Sequence, residues 1–250
     1  MVNALSYITQ HVRKYDYDRF LCSIFVPEEE RKGLLAILAF NVEISKIREI
    51  VREGLIGEIR LQWWRDTIEF IYNNSKYIYT DRIIAYELSL AIKKFKLSRK
   101  LFDQLIDARS RDFLDLPFAD EAELYQYLYG TSSTICMLFL EVMCPKNCPL
   151  SHDKMRAAQS IGVAWALTGI MRSSNVLAEQ RRIYIPKSVM KKYCFNEEDF
   201  FAQRATNEIK CLIEYMVSIA RDEIRRSRNS LETKWDDQYL ALSLQTLNVG

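Results

Sequence analysis

Ser45, Lys46 and Glu49 sit at the polar end of the stretch GLLAILAFNVEISKIREIV, residues 33–51, and are the first groups in this chain placed to do chemistry. Within that stretch Ile37, Phe40, Ile44, Ile47 and Val51 recur at steps of three and four, which makes them one apolar face of an α-helix. Beside it runs a second stripe, Leu34, Leu38, Asn41, Ser45 and Arg48, which begins apolar and turns polar, as a helix does when it lines a pocket open at one end. Glu49, one turn beyond Ser45, continues the polar rim. A helix that held a diphosphate through magnesium would carry paired carboxylates here, at i and i+4, so that both reach one ion. This helix offers Ser45, Lys46 and a single acid.

A second set lies in GIMRSSNVLAEQRRIYIP, residues 169–186, where an apolar helix ends in polar residues and the basic cluster Arg172, Arg181 and Arg182, before an extended segment at Tyr184. Guanidinium groups at the mouth of an apolar bundle suit an anionic head group with an apolar tail. The competing reading is a solvated helix end whose cations sit on its negative terminus, and composition alone leans that way. Cys144, Cys148 and His152 are spaced by four, but the spacing is loose and a fourth ligand is not evident, so incidental thiols in a loop are the better reading. With His11 and His152 the only histidines, a Ser–His or Cys–His nucleophile is disfavoured. In the pair Trp63-Trp64 one indole can face the core while the other meets a cavity or a partner; core packing is the expectation for both.

The elements that must position these groups are helices. Only 7 Gly and 5 Pro punctuate 250 residues, which favours long helices over many short strands. Residues 18–25 form a short amphipathic piece stopped by Pro27, and Pro27 with Glu28, Glu29 and Glu30 opens the first long helix, its acids on the positive end. After Gly54 a helix is expected with Ile59, Trp63, Ile68 and Ile71 on one face, ended by Asn73, Asn74 and Ser75. Thr80 or Asp81 caps the next, to about Phe95; Ser98 caps another that runs to Pro117; Asp120 caps a long one through Tyr127 to Met143. A Ser151-capped helix follows, small and apolar nearly all round over residues 157–171 and therefore central, then a last amphipathic helix over 206–231. No linker, repeat or low-complexity tract interrupts the chain, so residues 1–250 read as one all-α domain. A net charge of +2 gives no reason to expect nucleic acid, and six scattered cysteines fit a reducing compartment. The N-terminus lacks the apolar run of a secretory signal, and the longest apolar run, residues 161–171, is too short to span a bilayer. The expected location is cytoplasmic, or at most peripheral to a membrane.

These residues resemble the squalene and phytoene synthases, all-α isoprenoid synthases, over residues 17–185. Ala39-Phe40 looks like the start of that family's first aspartate-rich helix, Tyr127 to Gly130 like the segment before its central helix, and Arg172 with Arg182-Ile183-Tyr184-Ile185-Pro186 like its second motif. The resemblance implies a single helical bundle around a central cavity, with aspartates that hold magnesium on a substrate diphosphate. Here the first motif's aspartates fall on Ser45, Lys46 and Glu49, and the second motif's on Ser173 and Leu177. The wording AFNVEISKIRE, then IGEIRLQWWRDTIE, is similar to one branch, the homologues of NADH dehydrogenase (complex I) assembly factor 6 of mitochondria and related bacteria. Four of the five motif positions lack a carboxylate and Lys46 adds a cation, so magnesium recruitment should fail and with it catalysis.

The resemblance therefore implies a noncatalytic protein without cofactor, with magnesium only if it is active, that assists assembly of a respiratory complex through a subunit or another assembly factor. Two alternatives stay open: a prenyl-diphosphate transferase with displaced ligands such as Glu43, Glu49 and Glu179, and a prenyl or lipid carrier whose Arg172, Arg182 and Tyr184 bind an anionic head group without metal. Relatives continue beyond the helix that precedes Asn248, so one wall of the cavity is expected to be missing or supplied by a partner.

Overall fold

The computed structural model describes residues 4–51, 53–73, 82–114, 116–144 and 150–231, and every regular element among them is helical. Two short helices, α1 (Ala4–Tyr15) and α2 (Tyr17–Ile24), precede α3 (Glu28–Ser45). Pro27 stands at the N-cap of α3 with φ −52°, and Glu28, Glu29 and Glu30 occupy its first turn, where the helix end is positive. Every residue from Gly33 to Val42 is buried, because α1, α2, α6 (Ile83–Phe95), α7 (Arg99–Ser110) and α9 (Thr134–Met143) pack around this helix. Phe40 meets Trp64 and Phe102 edge-on at 4.9 and 5.6 Å, and its burial contributes about 2–3 kcal/mol.

The helix expected over residues 33–51 is two helices. Lys46 turns the chain (φ −84°, ψ −6°), the single turn α4 (Ile47–Ile50) follows, and Val51 is extended. The corner brings α4 against α5 (Gly54–Asn73) and keeps Ile47 and Val51 buried. Ser45 and Glu49 consequently lie on different helices, and the i, i+4 relation between them is lost.

α5 buries Gly57, Leu61, Trp64, Ile68 and Ile71. The expected face was wrong at its first half. Ile59 lies nine residues before Ile68, about half a turn away at 100° per residue, and is 61% exposed. Trp64 is in the core, whereas Trp63 is half-buried at the surface, so the two indoles divide the roles that core packing was expected to give both. The proposed end at Asn74 and Ser75 and the caps Thr80 and Asp81 lie outside the described residues, as do Cys148 and the chain beyond 231 with its missing-wall expectation.

α7 stops at Ser110 and passes into a 3₁₀ turn, Arg111–Phe113, short of Pro117. Ser98 precedes α7, but its N–H and hydroxyl both donate to Glu141 instead of capping the helix. Asp120 does cap α8 (Glu121–Leu128), accepting from the Glu123 N–H at 3.0 Å. The long helix expected from there to Met143 contains a π turn, Tyr129–Ser133, before α9. Ser151 caps α10 (His152–Arg172) through the Lys154 N–H at 3.2 Å. The short helices α11 (Ser174–Glu179), α12 (Lys187–Lys192) and α13 (Glu197–Phe201) lead to α14 (Asn207–Leu231). α10 packs on α14 and on the π turn, where Gly162 lets the backbones approach: a Cβ there would stand 2.4 Å from Ser133 Cα. α3 and α10 both pack on α9.

Candidate functional site

Asp112, in the 3₁₀ turn after α7, gathers the polar residues of the bundle. Its side chain is 5% exposed. Tyr127 of α8 donates to Asp112 Oδ1 at 2.7 Å, and Tyr184, from the extended segment after α11, donates to the same oxygen at 2.9 Å. Arg109, one turn earlier on α7, donates to Asp112 Oδ2 at 3.3 Å, to the Tyr127 hydroxyl at 3.1 Å and to Asn41 Oδ1 on α3 at 3.3 Å. Arg182 donates to the Tyr184 hydroxyl and lies 3.7 Å from Asp112. Three of the residues singled out from the sequence, Asn41, Arg182 and Tyr184, thus share one network. Sequence reasoning missed its hub and Arg109. The signal was an Arg and an Asp three apart in the run RSRDF, and their partners stand 68 and 72 residues away.

The network is poised as a set of donors around one carboxylate. Burial, then Asp112, pushes the Tyr127 hydroxyl well above the ordinary tyrosine pKa, and the same two causes raise Tyr184. Burial pulls Arg109 down, but Tyr127, Asp112 and Tyr184 outweigh it and its pKa rises above the usual arginine value. Two guanidinium groups against one carboxylate leave the cluster net positive.

The remaining motif positions are dispersed. The Ser45 hydroxyl donates to the Val42 carbonyl at 3.1 Å, and the Lys46 ammonium lies 3.3 Å from the centre of the Tyr15 ring. Glu49 is exposed. Ser173 and Arg172 line a cavity of about 590 Å³ with Lys14, Trp165 and Thr168, where the Ser173 hydroxyl donates to the Gly169 carbonyl and Arg172 pairs with Asp18 at 2.5 Å. The α1–α2 joint borders this cavity, and its Arg19 enters the bundle over the Trp165 ring, bonded to Asp16 and Ser132. Leu177 is one turn beyond Ser173, but the chain bends at Ser173 and Leu177 lines a separate apolar pocket with Ile170, Met171, Phe195 and Met216. Arg172 and Arg182, paired from the sequence as an anion site, line different cavities; Arg182 shares a pocket of about 120 Å³ with Arg111 and Arg181.

This donor set does not fit a magnesium ion, which takes about six oxygen ligands and favours carboxylates. Two hydroxyls bonded to backbone carbonyls, a lysine, a leucine and one exposed glutamate occupy the motif positions. Among the described residues no group of three or more His, Cys, Asp or Glu side chains is placed to hold a metal. Cys144 is half-buried and packs on the core.

Residues 12–246 match the squalene/phytoene synthase family. The chain belongs to that family. It is 28% identical over 227 residues, 91% of its own length, to human NADH dehydrogenase (ubiquinone) complex I, assembly factor 6. It spans 66% of that relative's length. Against phytoene synthase 1 of Solanum lycopersicum it is 22% identical over 203 residues, 80% of this chain and 48% of the other. Squalene synthase HpnC from Alicyclobacillus acidocaldarius superimposes with a TM-score of 0.82 at 18% identity, covering 99% of this chain and 89% of that one, so the isoprenoid-synthase fold is shared. Among the described residues of this family member no helix is long and apolar enough to cross a membrane.

Proposed function

We propose that the chain is a noncatalytic squalene/phytoene synthase family protein that assists assembly of respiratory NADH dehydrogenase (complex I), through contact with a subunit or another assembly factor. The observation that carries this reading is the state of the two motifs: four of five carboxylate positions are Ser45, Lys46, Ser173 and Leu177, and each side chain is occupied inside the fold or points into an apolar pocket. Departure of a diphosphate needs a metal to stabilise the developing charge, a contribution of several kcal/mol that these residues do not supply. The displaced acids do not replace them, since Glu43 lies 3.4 Å from His11 and Glu179 accepts from Gln203 at the far end of α11. The name of the human relative supports the assembly role. The protein acts without cofactor, in the cytoplasm or peripherally at the inner membrane, or in mitochondria in a eukaryote.

A prenyl or lipid ligand is a second reading, favoured by the cavity of about 590 Å³ whose apolar wall of Ile161, Trp165, Val176 and Ile224 ends in Lys14 and Arg172. The deciding experiment incubates the purified protein with farnesyl or geranylgeranyl diphosphate and magnesium. Absence of diphosphate release, together with loss of assembled NADH dehydrogenase when the gene is deleted, is the expected result. Magnesium-dependent turnover that Glu49→Gln abolishes would overturn it.

A further inference from the structure

Between α10, α11, α13 and α14 lies the apolar pocket of about 180 Å³, which the Asp112 network borders only through the ring of Tyr184. Leu177, Ile209, Leu212 and Ile213 supply its aliphatic wall, and Tyr184, Phe195 and Phe200 its aromatic wall. The Phe195 and Phe200 rings stand 5.6 Å apart, tilted by 47°. Met171 and Met216 add thioethers from α10 and α14. Backbone hydrogen bonds hold the wall in place. α11, α12 and α13 are each followed by a residue with positive φ: Arg181 at 52°, Cys194 at 50° and Gln203 at 53°. Beyond each of these, the next N–H bonds back onto the helix at 2.9 Å, Arg182 to Leu177, Phe195 to Met190 and Arg204 to Asp199. The short helices that carry the lining are thereby fixed, and the pocket is preformed.

We propose that this pocket binds a small neutral aromatic molecule of about six to nine heavy atoms, carrying one hydroxyl or carbonyl at the rim. Size follows from the volume, since an apolar cavity of about 150 Å³ lined by Leu, Ile and Phe takes benzene. Neutrality follows from the lining. Among the described residues around the pocket Arg204 alone is charged, and its Nε donates to Asp199 Oδ1 at 2.8 Å. A carboxylate, phosphate or ammonium would enter an apolar space without an unpaired counter-charge. Aromatic character follows from the rings and thioethers: a flat guest meets Phe195 and Phe200 edge to face and the sulfurs of Met171 and Met216, contacts that an aliphatic guest does not make. The side chains of Ser174 and Asn175 stand at the rim, bonded to no other described residue, and supply a partner for one polar group. The site is independent of the assembly reading and of the cavity of about 590 Å³. Ser173 and Val176 line that cavity, whereas Leu177 and Ala178 line this pocket.

The test labels the seven methionines of the full chain with ¹³C-methyl groups and titrates benzyl alcohol, followed by NMR. The expected result is a saturable shift at the Met171 and Met216 methyls, half complete at or below about 1 mM, with Met137 and Met155 unmoved. Benzoate and benzylamine should bind at least about tenfold more weakly, and cyclohexylmethanol about threefold more weakly. Ala178→Leu fills the pocket and should weaken benzyl alcohol at least about tenfold; Ala205→Trp does so from the exposed rim and serves where the first variant fails to fold. N-acetylphenylalaninamide stands for a side chain of a partner protein and should bind no tighter than benzyl alcohol. Tighter binding of that amide would make the pocket a protein-docking site and overturns the inference. So does the lack of a saturable shift at Met171 and Met216 up to about 10 mM, equal binding of the charged analogues or of cyclohexylmethanol, or undiminished binding in a folded pocket-filling variant.

Discussion

Replacing Asp112 by Ala should destabilise the protein by about 3–5 kcal/mol, because it removes the acceptor for three donors at once and the carboxylate 3.7 Å from Arg182. The Arg109 side chain is 14% exposed and Arg182 19%, and Asp112 is the carboxylate that faces both. Breaking such a pair from one side leaves a poorly solvated charge, which costs about 3–5 kcal/mol. The Tyr127 and Tyr184 hydroxyls lose their bonds of 2.7 and 2.9 Å, a loss of about 1–3 kcal/mol each if water does not replace Asp112. These losses overlap, since a tyrosine freed from Asp112 can turn to an arginine neighbour or to entering water, so the lower figure is the expectation. For a chain of this size that corresponds to a fall in Tm of roughly 6–20 °C. Urea unfolding followed by tryptophan fluorescence measures it, with the midpoint shifting at constant m. Tyr184→Phe removes one hydroxyl and should cost about 1 kcal/mol, while Arg109→Met with Asp112→Leu should recover only the part of the loss that comes from the unpaired Arg109 charge. An Asp112→Ala midpoint within about 1 kcal/mol of wild type, at constant m, would refute the hub.

Gly162→Ala drives a methyl group to 2.4 Å from the Ser133 backbone, which no side-chain rotation relieves, so a loss of about 1–3 kcal/mol is expected in the same assay; a neutral variant would mean that α10 and the π turn separate freely. His11 has a folded pKa below 6.5, through burial first, with Glu43 opposing and Lys46 and Lys14 adding to the depression. The unfolded chain therefore binds the extra proton, and the contribution of neutral His11 is present above the unfolded pKa and lost as pH falls through it toward the folded value. Urea midpoints at about pH 7.5 and about pH 5.5 should converge in His11→Gln, and an unaltered pH slope would assign the effect elsewhere. Leu177→Asp puts a carboxylate into an apolar pocket of about 180 Å³ and should cost about 2–3 kcal/mol without any magnesium-dependent rise in Tm; a rise of several degrees on adding magnesium would show that the two motifs still share a site.

Local chemistry determined much of the secondary structure. Pro27 with three glutamates, Asp120 before Glu123 and Ser151 before Lys154 each act within one helical turn, so these starts were legible in the sequence. The residue types at the expected motif positions, Ser45, Lys46, Glu49, Ser173 and Leu177, were equally plain, since they are read directly from the chain. What periodicity cannot supply is which face a neighbour will cover. Trp63 and Trp64 stand about 100° apart and either could have been the core residue; the packing of Trp64 on Phe40 decided it. A stripe read along residues 33–51 assumes a straight helix, and the corner at Lys46 exists because α4 folds back on α5. The same holds for Ser173 and Leu177, one turn apart in the chain yet in different cavities across the bend that ends α10. Asp112 became a hub only when α3, α8 and the segment at Tyr184 converged on it, and Arg172 found Asp18 at a separation of 154 residues. Such contacts carry no local signature, because their free energy arises from excluding water among groups that only the tertiary fold brings together.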